Sequence, residues 1–225
     1  MRRYTRAALA GALLLSGIIT LPTGQVAASA DLSIIVDPAS PPRACDDVSC
    51  AVATLREAVD IANSHPGSTI SLAAATHTLS STLTITGAGT RVIGWSEGDA
   101  DSAADFVIDA AGRRAFRVSA SNVRIRGVKI IRARAGNGDG AGVLLDAGVT
   151  GFELFNSEIV GRADTATARF GAGVSISSGA QATVRGSTFV DNRADRKGGA
   201  IRVDGTLNLV NSTFTGNTAQ SGGAI

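Results

Sequence analysis

"GTLNLVNSTFTGNTAQSGGAI" occupies residues 205–225, and its last four letters already stand at 198–201, behind "GSTFVDNRADRK" (186–197). A sequence that repeats itself at a fixed interval is building stacked units, so the repeat is read before anything else. Four segments align without gaps: "VRIRGVKI" (123–130), "FELFNSEI" (152–159), "ATVRGSTF" (182–189) and "LNLVNSTF" (207–214). Their last column is Ile130, Ile159, Phe189 and Phe214, with steps of 29, 30 and 25 residues. Their fifth column holds only Gly or Asn: Gly127, Asn156, Gly186, Asn211. What those two residues share is ease in the left-handed backbone region, so the column predicts a sharp bend. Before the bend, apolar positions (Val123, Phe152, Ala182, Leu207, then Ile125, Leu154, Val184, Leu209) alternate with polar ones (Arg124, Glu153, Thr183, Asn208). That is a strand with one buried face.

A second row runs through Phe116, Val143, Val174, Ile201 and Ile225, preceded from 143 onward by "GAGV", "GAGV", "GGAI" and "GGAI". Glycine there allows a tight corner and close backbone approach. The period is too short for a strand–helix–strand unit, and no helical pattern lies between the rows. Short strands joined by such corners and stacked on themselves make a parallel β-helix. A β-sandwich, the alternative, calls for hairpin turns and antiparallel registers instead of one ordered set of columns. All five prolines (22, 38, 41, 42, 66) precede residue 67, so the remainder is free of the residue that a hydrogen-bonded ladder rejects.

The N-terminal third is different. Arg2, Arg3 and Arg6, the apolar run 7–21 and Ala28-Ser29-Ala30 read as a secretory signal spanning 1–30, cleaved after Ala30, and the run is short for an uncleaved anchor. Arg2-Arg3 is a weak hint of twin-arginine export. The signal takes three of the 21 Lys+Arg, leaving 18 against 19 acidic residues and a net charge of −1. That balance gives no reason to expect a nucleic-acid partner, and no later stretch is apolar enough to span a membrane. Residues 31–67 read as an N-terminal segment with a capping helix over "TLREAVDIAN" (54–63). Thr54 and Glu57 form a capping-box pair, Leu55, Ala58, Val59 and Ala62 share one face, and "HPG" (65–67) ends the helix. An amphipathic helix ahead of the first strand suits the open end of a solenoid. The coils then fill 68–225, the first running through "TISL", "TLTITG" and "RVIGW". Because the chain stops on the motif that opens a coil, a longer parent protein is expected, or else self-association through the exposed edge.

Cys45 and Cys50 are the only cysteines. In an exported chain the pair reads as a disulfide, with free thiols as the alternative. A zinc site would need further ligands, and neither His65 nor His77 has metal spacing.

Two motifs carry a resemblance. Phe189-Val190-Asp191-Asn192 and Phe214-Thr215-Gly216-Asn217, with Gly198–Ile201 and Gly222–Ile225, resemble the F-x-x-N and G-G-A-[ILV] repeats of polymorphic outer-membrane proteins. "TLREAV" (54–59) resembles the CSLREA domain of bacterial surface β-helix proteins, although "AVA" separates it from Cys50. Together they cover about 45–225. They imply a right-handed, pectin-lyase-like parallel β-helix that is exported or displayed at the cell surface. They bring no catalytic, cofactor-binding or metal-binding residue with them.

Chemistry could still hide in two charged stretches. Residues 96–112 hold Glu97, Asp99, Asp101, Asp105 and Asp109 without a base; 113–134 hold eight basic residues without an acid. A lyase acting on acidic polysaccharide needs an Arg or Lys base and a cation such as calcium held by clustered Asp. The register above favours a plainer reading. Arg124 falls beside Glu153 and Lys129 beside Glu158 as outward cross-strand pairs, the acidic stretch is a solvated loop, and no cofactor is called for. Sugar-stacking platforms are few, since Tyr is absent after the signal and Trp95, the only Trp, packs at a coil corner. "GNGDGAG" (136–142) is a loop without a phosphate-cradle lysine, and Asn211, despite its Asn-Ser-Thr context, is a bend residue. The expectation is a secreted or cell-surface β-helix with a structural or adhesive role toward an extracellular polysaccharide or a host or cell-surface ligand. The alternative is a polysaccharide lyase or hydrolase.

Overall fold

The computed structural model describes residues 32–39, 45, 48–94 and 102–225. Residues 1–30, read above as a signal, and Trp95, Glu97, Asp99 and Asp101 lie outside the described residues. The chain enters through β1 (Ser33–Val36) and β2 (Ser49–Val52), then forms α1 (Leu55–Ser64). The first turn of a solenoid follows as β3 (Thr69–Leu72), β4 (Thr76–Thr78) and β5 (Leu83–Ile85). The second is β6 (Arg91–Ile93), β7 (Val107–Asp109) and β8 (Phe116–Val118), with a 3-10 turn at Ala103–Asp105. The third is β9 (Arg124–Arg126), β10 (Lys129–Ile131) and β11 (Val143–Leu145). The fourth is β12 (Phe152–Phe155), β13 (Glu158–Val160), β14 (Ala168–Phe170) and β15 (Val174–Ile176). The fifth is β16 (Gln181–Arg185), β17 (Thr188–Val190), β18 (Ala194–Lys197) and β19 (Ile201–Val203), and a sixth opens with β20 (Thr206–Val210) and β21 (Thr213–Thr215).

Every ladder is parallel. One sheet runs β2-β1-β3-β6-β9-β12-β16-β20, a second β4-β7-β10-β13-β17-β21 and a third β5-β8-β11-β15-β19. This is the all-β parallel β-helix that the repeat predicts. The connections of turns four and five add the short fourth side β14-β18. The register matches the sequence columns: Arg124 pairs with Glu153, Phe152 with Ala182, Ala182 with Leu207, and Phe116 with Val143 with Val174 with Ile201. The inward residues stack into one continuous core, in which Phe116, Phe152 and Phe189 are fully buried. Each such side chain contributes on the order of 1.5–3 kcal/mol.

The bends are where the columns place them. Gly127, Asn156, Gly186 and Asn211 have φ of 63°, 45°, 59° and 46°. Immediately after each bend one position turns inward: Val128, Ser157, Ser187, Ser212. The serines there form a ladder. Ser157 Oγ donates to Phe155 O (2.9 Å) and accepts from Val128 N–H one turn below (3.3 Å); Ser187 and Ser212 repeat the pattern. A hydroxyl is both donor and acceptor, so a buried serine can close the corner's backbone account where valine cannot.

Helix α1 buries Leu55, Ala58, Val59 and Ala62, and Glu57 N–H donates to its N-cap Thr54 Oγ1 at 3.2 Å. Asn63 fastens it to the coil: Nδ2 donates to Thr84 O (2.8 Å), and Oδ1 accepts from Thr86 and Gly87 N–H. The expectation that the helix precedes the first strand is corrected, because β1 and β2 come earlier and extend the first sheet beyond β3. Four-residue segments as short as "SIIV" and "SCAV" carry little periodicity, and their strand character comes from the sheet edge, β1 pairing with β3 and β2 with β1. The composition of the first coil is corrected too. "RVI" pairs with "TIS" and so opens the second turn, while the first turn's middle side is "THT" (76–78), whose polar letters conceal the buried His77. Cys45 and Cys50 are joined by a disulfide with Cα atoms 4.3 Å apart. No helix among the described residues is long and apolar enough to cross a membrane.

Candidate functional site

The F-x-x-N motif is a pair of ladders. Its aromatic column stacks, with the Phe189 and Phe214 rings 5.0 Å apart and nearly parallel. Its asparagine turns back into the fold. Asn192 is 1% exposed, and the two N–H groups of its Nδ2 are shared among Ile159 O one turn below (3.0 Å), Val190 O (3.1 Å) and Asn217 Oδ1 one turn above (3.0 Å). Asn217 Oδ1 also accepts Asn192 N–H (3.0 Å), and Asn217 Nδ2 donates to Phe189 O (2.9 Å). Each asparagine thus bonds the main chain of the previous turn. The other motif supplies the corner before the third sheet. Its first glycine has positive φ in every copy, from Gly140 (60°) and Gly171 (55°) to Gly198 (60°) and Gly222 (62°). A side chain there would collide with the main chain three residues on, as the Val174 carbonyl shows at Gly171.

The basic stretch 113–134 is largely paired by the next or previous turn. Arg124 Nε meets Glu153 at 2.9 Å and Lys129 Nζ meets Glu158 at 3.0 Å, the two pairs that the register predicts. Arg117 binds Asp146 at 2.9 Å. Arg114 donates to the main-chain carbonyls of Asp139 (2.8 Å) and Gly140 (3.0 Å), fixing the 136–142 loop. Asp139 in turn receives Arg202 at 2.9 Å from 63 residues away, and Arg202 lies 4.2 Å from the Phe170 ring centre. The partners of Arg117, Arg114 and Arg202, unlike those two pairs, are not legible from spacing, because loops of different length separate them.

The acidic stretch is only partly a loop, which corrects the sequence reading. Asp105 caps the 3-10 turn, accepting from Ser102 N–H at 2.7 Å. Asp109 ends β7 and is buried. It accepts from Arg132 through both carboxylate oxygens and from Ala111 N–H at 2.9 Å. The Arg132 hydrogen bonds hold its carboxyl below the usual carboxylate range, burial opposes them, and the Ala111 bond and the Arg132 charge add to the lowering. Among the described residues no three His, Cys, Asp or Glu side chains come together as a metal site.

One outer face departs from paired charge. On the first sheet, Ile93, Arg126, Phe155 and Arg185 follow one another outward across β6, β9, β12 and β16, beside the column Arg91, Arg124, Glu153, Thr183. The guanidinium groups of Arg126 and Arg185 each lie 5.0 Å from the centre of the Phe155 ring, one from either neighbouring turn. A cleft of 220 Å³ opens between Arg91, Ile93, Arg124, Arg126, Glu153 and Phe155. Arg126 Nε itself is inaccessible and has no hydrogen-bond partner among the described residues. This face is the candidate binding surface. The sequence shows its residues as ordinary outward positions, and only the stacking of turns brings them together.

The Chlamydia polymorphic membrane protein repeat matches residues 186–204 and 211–225. The two stretches begin at the bends Gly186 and Asn211 and contain both asparagine ladders and both G-G-A-I corners. No curated protein and no solved structure matches the chain.

Proposed function

We propose that the chain is a β-helix repeat protein displayed at the cell surface, with a structural or adhesive role. Export through residues 1–30, a CSLREA-like cap and a right-handed, pectin-lyase-like winding belong to this reading. The match to the polymorphic membrane protein repeat supports it. The observation that carries it is how the motif residues are used. Phe189, Asn192, Phe214 and Asn217 join turn to turn, and Arg117, Arg124, Lys129 and Arg132 each hold a carboxylate of another strand or turn. The recurrent chemistry therefore builds a stiff column, and its product is an extended surface.

Protease treatment of intact cells producing the full chain tests this. Loss of the protein from whole cells, with a cytoplasmic marker spared, is the expected result; full protection refutes display. Incubation with polygalacturonate and calcium tests the enzymatic alternative. Unsaturated uronate that forms with the native protein and disappears on substitution of one basic residue between Arg113 and Arg134 would overturn the structural reading.

A further inference from the structure

We infer that the outer face of the first sheet, centred on Arg126, Phe155 and Arg185, binds an anionic polysaccharide that carries its charge on alternate sugar residues and lies along the solenoid axis. This deepens the adhesive reading above by naming the ligand class, and it rests on that reading.

Charge is the first argument. The chain after its signal is close to neutral, yet the outward positions of β6, β9, β12, β16 and β20 hold four arginines, Arg91, Arg124, Arg126 and Arg185, against the single carboxylate of Glu153. Glu153 is engaged by Arg124 at 2.9 Å and Arg91 donates to Gly67 O at 3.1 Å. Arg126 and Arg185 instead lean on an aromatic ring, which orients a guanidinium without neutralising it. A charged guanidinium held beside a ring is suited to a planar carboxylate or a sulfate.

The second argument is shape. A cleft of 220 Å³ opens between Arg91, Ile93, Arg124, Arg126, Glu153 and Phe155, beside the guanidinium that rests on the Phe155 ring.

The third is spacing. Parallel strands recur every ~4.8 Å along the axis, which is close to the length of one pyranose residue. Arg126 and Arg185 stand on β9 and β16 with β12 between them, so their guanidinium groups repeat at about two strand spacings, ~10 Å. A glycan running along the axis presents successive residues in register with successive turns, and only every second residue then meets an arginine. Thr183 and Asn208 follow Glu153 in the adjacent column and offer neutral hydroxyl and amide groups to the sugar hydroxyls between.

The test is titration of the full purified chain with three probes: hyaluronan oligosaccharides, charged on alternate residues; oligogalacturonate, charged on every residue; and neutral dextran oligosaccharides. Binding to hyaluronan is expected at low ionic strength, weakening at least about tenfold as salt rises through the range where exposed charges are screened. R126Q and R185Q should each weaken it at least about tenfold, the loss expected of one charge-assisted hydrogen bond. R134Q, an exposed arginine of another side, should leave it unchanged. I93E removes none of the arginines and places an acid in the cleft; it should abolish binding while circular dichroism stays that of the native chain. No binding at low salt overturns the proposal, as does tighter binding to oligogalacturonate, or a loss in R134Q equal to that in R126Q. A chain that protease reaches on intact cells but that binds no glycan refutes this inference and leaves surface display standing. A chain that binds hyaluronan but is protected on cells does the reverse.

Discussion

Asn217 provides a direct test of why the F-x-x-N motif specifies asparagine. Its Oδ1 accepts two hydrogen bonds from Asn192, from the main-chain N–H and from Nδ2, both at 3.0 Å, and its Nδ2 donates to Phe189 O at 2.9 Å. Asn192 is buried, so solvent does not replace what is lost. In N217A all three bonds go. At about 1 kcal/mol each, the local cost is ~3 kcal/mol, with a buried main-chain donor left unpaired. N217D keeps both acceptor contacts, loses the bond to Phe189 O and sets a carboxylate oxygen against that carbonyl, so its cost is ~1–1.5 kcal/mol. Global denaturation blurs such an effect, because a solenoid loses turns piecemeal. Native-state hydrogen exchange at the Asn192 amide reads it directly. In N217A that amide should exchange about a hundredfold faster, since every 1.4 kcal/mol is tenfold; in N217D the change should be about tenfold or less. Equal acceleration in the two variants refutes the argument that the acceptor oxygen is what the motif selects. So does a change below about threefold in N217A.

Four further outcomes follow from the same geometry. A Cβ at Gly161 would sit 2.6 Å from Asn192 Cα and 2.6 Å from Asp191 O, both main chain, so G161A should cost about 1–3 kcal/mol by overpacking. At Gly148 (φ 76°), which has open space around it, G148A should cost only the left-handed strain of about 1–2 kcal/mol. Replacement by Asn should then soften the loss at 148 and deepen it at 161 in thermal melts. Asp109 has a lowered folded-state pKa, so its stabilisation is complete above its unfolded value and is lost as pH falls through the folded one. Acid melts should therefore show a loss of stability beginning near pH 4 and continuing below it that flattens in D109N. The Arg124–Glu153 pair has both side chains about half exposed, so R124Q should change the melting midpoint by no more than the equivalent of about 0.5 kcal/mol. Cysteines at 124 and 153 should nevertheless cross-link with a short reagent, because the two positions are lateral neighbours.

What was legible in the sequence was whatever repeats. The Gly/Asn column fixed the bend because the left-handed backbone region admits few other residues, and all four positions carry positive φ. Alternation on either side of that bend fixed the inward face, and the constant offset between columns fixed the register that sets Arg124 beside Glu153 and Lys129 beside Glu158. The capping helix was equally local, since its N-cap and apolar stripe lie within ten residues. Tertiary structure decided the features that break the repeat. β1 is a strand because β3 offers it an edge, and β2 because β1 then offers the next, which no local pattern announces. His77 and Asp109 are polar letters inside buried strands, and the coil supplies their partners: Ala73 O to one, Arg132 to the other. Arg202 reaches Asp139 across two turns of unequal length. The candidate face belongs to the same class. Arg126, Phe155 and Arg185 stand 29 and 30 residues apart, and only the winding of three successive turns brings two guanidinium groups to 5.0 Å from the centre of one ring. A strand's own sequence sets which side of the sheet a residue occupies. Which side chains it meets there is set by the length of the loops between turns.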